Sequence, residues 1–321
     1  IVDGKSAAAN IIIAAGKNAT LRGDGTASED VRLSAGNNVI VASSVTAGNT
    51  LDVEAGENAL IVGDVEAKNI IANAGNGSVT VQGDVETVGD ISLAAKENVT
   101  FTGKNEAANI SISAGKNATL SGDSTAARDF TVEAGGNFIV TEGADIAAGN
   151  VFTATAGEFG ADFGTITAGE NVNIESTGAD LALRDITATN GNVTATAKNG
   201  SVSVADSVTA GDTLEVTAKE DIAIDGAVAA QNVDATAESG SITVSGNMAT
   251  GGNIALRAKE NITAENLSTE TGGSVKAVSI EGNVTIADVS AKDNIEITAA
   301  KGNATLANAS STAGGLSVSA G

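Results

Sequence analysis

Hydrophobic and polar residues alternate along this chain in short runs, and the runs recur about every twenty residues. Residues 45–64 show the pattern clearly, because Val45, Leu51 and Val53 alternate with polar or charged side chains. A Gly-Glu-Asn break at residues 56–58 precedes a second short apolar run at residues 59–62. Alternation of this kind predicts β-strands with one buried face. Each unit is therefore predicted to form a strand, a turn and a second strand before the next unit begins.

The period is most visible at the turns. An Ala-Gly pair recurs at Ala15-Gly16, Ala35-Gly36, Ala55-Gly56, Ala74-Gly75, Ala114-Gly115 and Ala134-Gly135. Asparagine recurs with nearly the same spacing at Asn18, Asn38, Asn58, Asn98, Asn117 and Asn137. Later units continue the register at residues 166–185, 208–227, 228–247 and 289–308. A fixed period in this range is the signature of a repeat architecture.

The repeat predicts an all-β fold, a right-handed parallel β-helix (solenoid) with about sixteen coils of roughly 20 residues. A coil this short closes only if each strand bonds the equivalent strand one coil away, and parallel crossovers are right-handed. No linker or composition shift interrupts the units, so we predict a single continuous β-helix over residues 1–321. Both ends fall inside a coil, and we therefore expect a segment of a longer chain or a stacking subunit.

The composition narrows the possible chemistry. The chain has 39 Gly but no Pro, Cys, His, Trp or Tyr. The lack of Pro suits strands that must all donate hydrogen bonds to a neighbour, and the lack of His and Cys removes the usual catalytic triads and zinc sites. We predict a protein that is not an enzyme and binds no cofactor or metal. A remote alternative is a polysaccharide-acting β-helix enzyme that uses carboxylates, although such sites need long loop insertions that the repeat does not contain.

Charge adds a prediction about partners. Seventeen basic residues stand against 40 acidic ones, for a net charge of −23. The acidic residues are dispersed at predicted outward positions, which indicates solubility and mutual repulsion. This balance argues against nucleic-acid binding, since phosphates need Lys and Arg. No apolar run is long enough to span a bilayer, so we expect a protein that is not embedded in a membrane.

Two groups of residues have predicted structural roles. The six asparagines Asn18, Asn38, Asn58, Asn98, Asn117 and Asn137 are expected to stack at one interior corner and pass side-chain hydrogen bonds from coil to coil. Five of the six Phe lie between residues 130 and 163. Phe101, Phe130 and Phe138 occupy inward positions of the repeat, which favours a role in the core. The alternative is a platform on which sugars stack.

One tripeptide and one column of aspartates are candidate binding features. Arg22-Gly23-Asp24 resembles the integrin-binding motif of adhesive proteins. Gly-Asp recurs at the same position of the repeat at residues 63–64, 83–84 and 122–123, so chance placement of Arg22 is the favoured explanation. The column that contains Asp64 and Asp84 is also a candidate calcium site, but isolated carboxylates bind calcium weakly.

The units NIIIAAGKNATLRGD, TLDVEAGENALIVGD and NISISAGKNATLSGD resemble the coils of filamentous-haemagglutinin-type (two-partner-secretion) exoproteins and of large autotransporter adhesins. The resemblance covers essentially the whole chain. It implies an extracellular or cell-surface rod of a Gram-negative bacterium that is exported unfolded and functions in adhesion, cell–cell contact or biofilm formation. It also implies that the partners are other copies of the chain and a host or bacterial cell-surface receptor.

Two functional hypotheses follow. The first is a structural, non-catalytic shaft that spaces another domain away from the cell. The alternative is a subunit of an extracellular filament that polymerises end to end through open β-helix edges, which are available for pairing. Uniform coils and ends inside a coil favour the shaft.

Overall fold

The computed structural model describes residues 1–141, 143–159 and 165–321. Within these ranges there is no helix, and parallel strands stack as a β-solenoid of about 15 turns, which confirms the predicted parallel β-helix. The chain divides into two compact units, residues 1–164 and residues 165–321. A single continuous body over residues 1–321 stays a prediction.

Unit 1 has strands too short to be stable alone, and each is completed by parallel pairing one coil away. Its strands are β1 (Ser6–Ala8), β2 (Ile11–Ala15), β3 (Ala19–Leu21), β4 (Gly25–Ala27), β5 (Val31–Ala35), β6 (Val39–Val41), β7 (Val45–Ala55), β8 (Ala59–Ile61), β9 (Val65–Ala74), β10 (Val79–Val81), β11 (Val85–Thr87), β12 (Asp90–Ala95), β13 (Val99–Phe101), β14 (Asn105–Ala107), β15 (Asn109–Ala114), β16 (Ala118–Leu120), β17 (Ser124–Ala126), β18 (Phe130–Val140), β19 (Ile146–Ala148) and β20 (Phe152–Phe159).

Three faces enclose the core of unit 1. The first face pairs β2 with β5 and β5 with β7, the second pairs β3 with β6 and β6 with β8, and the third pairs β1 with β4 and β4 with β7. Alternate residues of the strands point inward, so Val31 and Leu33 are fully buried while Arg32 between them is exposed. The predicted period of two is therefore the period of burial.

The phenylalanines of unit 1 fill its core. Phe101, Phe130, Phe138 and Phe152 are at most 1% exposed, and Phe159 is 4% exposed. The rings of Phe138 and Phe159 meet edge to face with centroids 5.9 Å apart, and Phe130 and Phe152 lie 5.7 Å apart. Phe163 lies outside the described residues. For the five described rings, burial confirms the core role and excludes a sugar-stacking platform.

Unit 2 repeats the same coil without an aromatic residue. Its strands are β21 (Ile166–Ala168), β22 (Val172–Ser176), β23 (Leu181–Leu183), β24 (Ile186–Ala188), β25 (Val193–Ala197), β26 (Val202–Val204), β27 (Val208–Ala210), β28 (Thr213–Ala218), β29 (Ile222–Ile224), β30 (Val228–Ala230), β31 (Asn232–Ala237), β32 (Ile242–Thr250), β33 (Ile254–Ala258), β34 (Ile262–Thr269), β35 (Val275–Ser279), β36 (Val284–Ala291), β37 (Ile295–Ala299), β38 (Ala304–Ser311) and β39 (Leu316–Ala320). Val202, Ile222 and Ile242 stack in register, and all three are buried.

Glycine allows the coils to approach closely at some corners. A Cβ on Gly83 would lie 2.3 Å from the carbonyl oxygen of Gly63, and a Cβ on Gly226 would lie 1.4 Å from the carbonyl oxygen of Asp206. No side chain fits at such distances. Glycine at Gly83 and Gly226 therefore permits the close spacing between neighbouring coils, while Ser43 and Asp206 occupy the same column in other coils.

Candidate functional site: the hydrogen-bonded corners

The polar residues that the sequence singles out lie at the corners of the coils, in the position immediately before a strand. Asn18, Asn38 and Asn58 precede β3, β6 and β8. The Asn18 Oδ1 accepts the Asn38 main-chain N–H at 3.2 Å, and the Asn38 Oδ1 accepts that of Asn58 at the same distance. The Asn38 Nδ2 also donates to the Asn18 Oδ1 at 3.2 Å, and the Asn58 Nδ2 donates to the Asn38 Oδ1 at 3.0 Å. Each asparagine therefore ties its coil to the next one.

This column, which we name ladder 1, continues through the position that lacks asparagine. Ser78 donates its main-chain N–H to Asn58 Oδ1 at 3.0 Å, and its Oγ accepts the Asn98 N–H at 3.3 Å. The Asn98 Oδ1 then accepts the Asn117 N–H at 3.2 Å, and the Asn117 Oδ1 accepts the Asn137 N–H at 2.8 Å. Ladder 1 thus links all six predicted asparagines, with the last bond made to Asn137.

The expectation that these asparagines lie in the interior is wrong. Asn18 and Asn58 are exposed, and Asn38, Asn98, Asn117 and Asn137 are half-buried. The physical reason is the position before the strand, where the chain turns and the side chain extends along the stack rather than into the core. The ladder is consequently a feature of the outer edge.

The column of aspartates that contains Asp64 and Asp84 forms a second ladder, which we name ladder 2, at the corner before the third face. The Asp64 Oδ1 accepts the Asp84 N–H at 3.0 Å, and the Asp84 Oδ1 accepts the Lys104 N–H at 2.8 Å. Asp123 accepts the Asp145 N–H at 3.0 Å. These carboxylates, considered above as calcium ligands, are therefore engaged with the main chain of the next coil. Among the described residues, no group of three acidic side chains is placed to hold a metal ion.

A third column, ladder 3, occupies the corner before the first face. Asn10 Oδ1 accepts the Asp30 N–H at 3.1 Å, and Asp30 Oδ1 accepts the Thr50 N–H at 3.2 Å. In the same way, the Asn69 Oδ1 accepts the Asp90 N–H and the Asn109 Oδ1 accepts the Asp129 N–H. The signal that could have found it is positional, because an Asn or Asp repeatedly stands directly before the first inward residue of a strand.

Unit 2 has two long ladders of the same kind. One passes without interruption through Asp180, Ser201, Asp221, Ser241, Asn261, Asn283 and Asn303, with distances of 2.7–3.2 Å. The other links Asn171, Asn192 and Thr213, and then Asn232, Asn253, Ser274, Asn294 and Gly315. Asn, Asp and Ser alternate freely, since each offers a side-chain oxygen to the main chain above.

The tripeptide Arg22-Gly23-Asp24 lies at the corner between β3 and β4. Arg22 lies 3.7 Å from Asp3, and Asp24 lies 3.3 Å from Lys5. A Cβ on Gly23 would lie 1.9 Å from the carbonyl oxygen of Gly4, so this glycine meets the same spacing requirement as Gly83. Both charged side chains therefore have intramolecular partners, and the glycine has a structural role.

Several ion pairs lie on the exposed surface, and two of them shift the pKa of a member. The Lys116 ammonium donates a 2.8 Å hydrogen bond to Glu97, and this bond together with the positive charge lowers the pKa of Glu97 below its ordinary value. The hydrogen bond and charge of Glu106, 2.6 Å away, raise the pKa of Lys104 above its ordinary value. Pairs this exposed contribute little to stability.

A shallow groove of about 410 Å³ follows the third face of unit 1. Three glutamates, Glu66, Glu86 and Glu106, stand in register along it on successive strands. All three are exposed, and they point away from the coil in one row rather than converging on a point. The arrangement provides negative charge but no pair of groups held together for acid–base chemistry.

No helix of the described residues is long and apolar enough to cross a membrane. Comparison with known proteins gives no relative, since no family model, curated protein or solved structure matches this chain. The functional reading therefore depends on the coils themselves.

Proposed function

We propose that this chain is a structural, non-catalytic spacer from a filamentous adhesin that is secreted or displayed on the surface of a Gram-negative bacterium. The observation that carries the proposal is the use of the polar corner residues. Ladders 1, 2 and 3 of unit 1 and both ladders of unit 2 direct their side-chain oxygens to the main chain of the next coil. These groups hold the coils together, and stacking is the property that a shaft requires.

The surface charge supports the same proposal. The chain carries a net charge of −23, and acidic side chains such as Glu66, Glu86 and Glu106 are exposed. Like charges on neighbouring molecules repel, which keeps extended proteins soluble and separate. Eight coils of one unit rise roughly 35–40 Å at the spacing of hydrogen-bonded strands. Length and separation are both useful in a spacer that presents another domain.

The repeat style supports the proposed location. The coils resemble those of secreted filamentous adhesins, and a chain without Cys needs no oxidising compartment to fold. Adhesion, cell–cell contact and a cell-surface receptor belong to this proposal as the setting in which the spacer works. Self-association along the stack belongs to the alternative, in which the chain is a subunit of an extracellular filament.

Immunodetection on the source cells tests the proposal. An antibody raised against the purified 321-residue chain should label the outside of intact cells and detect a denatured polypeptide of several hundred kilodaltons. Labelling that requires permeabilised cells would overturn the surface location. A denatured mass near 31.2 kDa would reject the shaft and favour the filament subunit. Turnover of an acidic polysaccharide by the purified chain would contradict a non-catalytic role.

A further inference from the structure

The coils of unit 1 resemble one another so closely that each could stack on more than one partner. The column of inward residues that opens the third face contains Val45, Val65 and Val85, which are interchangeable in size and polarity. Repeat proteins gain stability from nearest-neighbour stacking, and a coil that stacks on the wrong neighbour keeps most of that gain. Misassembly is accordingly a characteristic failure of repeat arrays.

Two polar residues interrupt this column. Asn105 on β14 and Ser124 on β17 stand in register, and they are 1% and 0% exposed. The Asn105 Nδ2 donates a 3.0 Å hydrogen bond to the Ser124 Oγ. Their other neighbours in the column are apolar, Val85 on one side and Ile146 on the other. A buried amide therefore finds its hydrogen-bond acceptor only on the next coil.

We propose that Asn105 and Ser124 form a register lock, which selects the coil that stacks on β14. The Oδ1 of Asn105 has no hydrogen-bond partner among the described residues, so the bond to Ser124 is the one that its side chain makes. Any stacking that removes Ser124 leaves the whole amide buried and unsatisfied, which is costly in a low-dielectric core. Buried polar groups are best attested as devices that fix register in this way.

The register slip that the lock opposes can be specified. Residues of one coil, which includes strands β16 and β17, would loop out, and the following coil would stack one position earlier. Phe130 would then pair with Ile91, and Ile139 would lie beside Thr100. Ile146 would take the position of Ser124 against Asn105. Every other inward contact stays apolar, so the asparagine amide adds a polar penalty to the apolar burial that the looped-out coil loses.

Cysteine reporters can measure the slip, because the chain contains no Cys of its own. Thr100 and Thr119 are in-register neighbours on the outside of the second face, and Thr119 and Ile139 are the next such pair. Neighbouring parallel strands lie about 4.8 Å apart, within the Cα separation that a disulfide spans. Thr100→Cys with Thr119→Cys reports the native register. Thr100→Cys with Ile139→Cys, about twice as far apart in the native stack, reports the slipped one.

The experiment compares refolding in two backgrounds. With Asn105 and Ser124 present, oxidation after refolding should link the native pair and leave the slipped pair almost unlinked. In the Asn105→Val/Ser124→Val background, we expect the linked fraction of the slipped pair to rise about tenfold, while resistance to denaturant is unchanged or higher. An unchanged slipped fraction would overturn the proposal.

Two further variants keep the test decisive. Ile146→Val trims the same column without altering polarity, and it should not increase the slipped fraction even though it weakens the core. A rise equal to that of the valine pair would assign the slip to lost stability and overturn the lock. If the double valine variant does not refold, Asn105→Val/Ser124→Ala removes the same hydrogen bond with less added volume, and the same two outcomes apply.

Discussion

The two units use one coil design but fill it differently. Unit 1 places five described phenylalanines in its core, and residues 165–321 contain no Phe. Unit 1 also buries a polar pair that bonds between coils, Asn105 and Ser124. In unit 2 the buried hydroxyls donate to main-chain carbonyl groups instead. Ser176 and Thr269 bond within their own turns, Ser279 bonds to Glu260 of a neighbouring coil, and Thr250 makes one bond of each kind. The corners of both units, in contrast, carry ladders of the same kind.

Hydrogen-bonded corners are therefore common to the coils of both units, whereas the volume of the core side chains varies from coil to coil. Ala118 and Phe138 are consecutive members of one column, and the strands that carry them remain in register. A core that accepts such a range of volumes is specified by total packing rather than by each residue. The spacing between coils, set by main-chain hydrogen bonds and by the ladders, stays constant.

The largest expected effect concerns the aromatic core. Phe138→Ala should lower the free energy of unfolding by about 3–5 kcal/mol, because it leaves a cavity against Phe152 and Phe159. Denaturant unfolding and hydrogen exchange of strands β16–β20 measure it. Leu214→Ala, a buried site of unit 2, is the matched control and should cost less. An equal or larger loss for Leu214→Ala would show that the aromatic cluster adds nothing to its coils.

The next effect tests whether the corners of both units obey the same spacing. Gly83→Ala and Gly226→Ala should each destabilise the protein by about 1–3 kcal/mol, because the new Cβ would overlap a carbonyl group of the adjacent coil. Gly75→Ala is the control. Its Cβ would lie 3.5 Å from the nearest carbonyl oxygen, so we expect it to be neutral or to stabilise by about 0.4–1 kcal/mol. Thermal unfolding of the three variants measures these effects. Equal melting temperatures would show that the close approach of neighbouring coils does not require glycine at residues 83 and 226.

A smaller effect tests the ladders. Asn38→Ala in unit 1 and Asn283→Ala in unit 2 should each cost about 1 kcal/mol, since each removes the acceptor of a main-chain N–H in the next coil. Asn38→Asp and Asn283→Asp keep the oxygen and should recover most of the loss. Chemical denaturation of the four variants at neutral pH compares them. If the Ala and Asp variants prove equally stable, the ladder bond contributes nothing measurable.

The smallest effect is a pH dependence at the surface. Because Lys116 lowers the pKa of Glu97, the pair stabilises the protein above the ordinary pKa of glutamate. This contribution is lost as the pH falls through the lowered pKa. An NMR titration of Glu97 should show the lowered value, and Lys116→Met should return the value to the ordinary range. A titration of Glu97 that Lys116→Met leaves unaltered would exclude the lysine as its cause.

Much of this architecture could be predicted from the sequence. Alternation at positions such as Leu51 and Val53 specifies strands, and their recurrence specifies parallel stacking, since a short coil has no other partner for its main chain. Ladder 1 was predictable because asparagine fills nearly all of its positions. Ladder 2 was not, because the recurrence of Asp64 and Asp84 does not by itself distinguish a calcium ligand from an acceptor of a main-chain N–H, and Lys104 interrupts the column.

The interior register lock was hidden for a related reason. Asn105 occupies an inward position whose neighbours in the column are valine and isoleucine, and a period of two alone does not distinguish a buried amide from a local bulge. Its partner Ser124 is nineteen residues away in the chain. Their contact becomes visible only once the register of β14 and β17 is known.

The tolerance of the ladders for Asn, Asp and Ser also affects how such a chain can diverge. The codons of aspartate and serine each include forms that differ from an asparagine codon by a single nucleotide. A single point mutation at a position such as Ser78 or Asp221 can therefore exchange one side-chain oxygen for another and leave the bond to the next coil in place. Lineages of this protein can drift in charge and composition at every corner while the stack of coils is inherited unchanged.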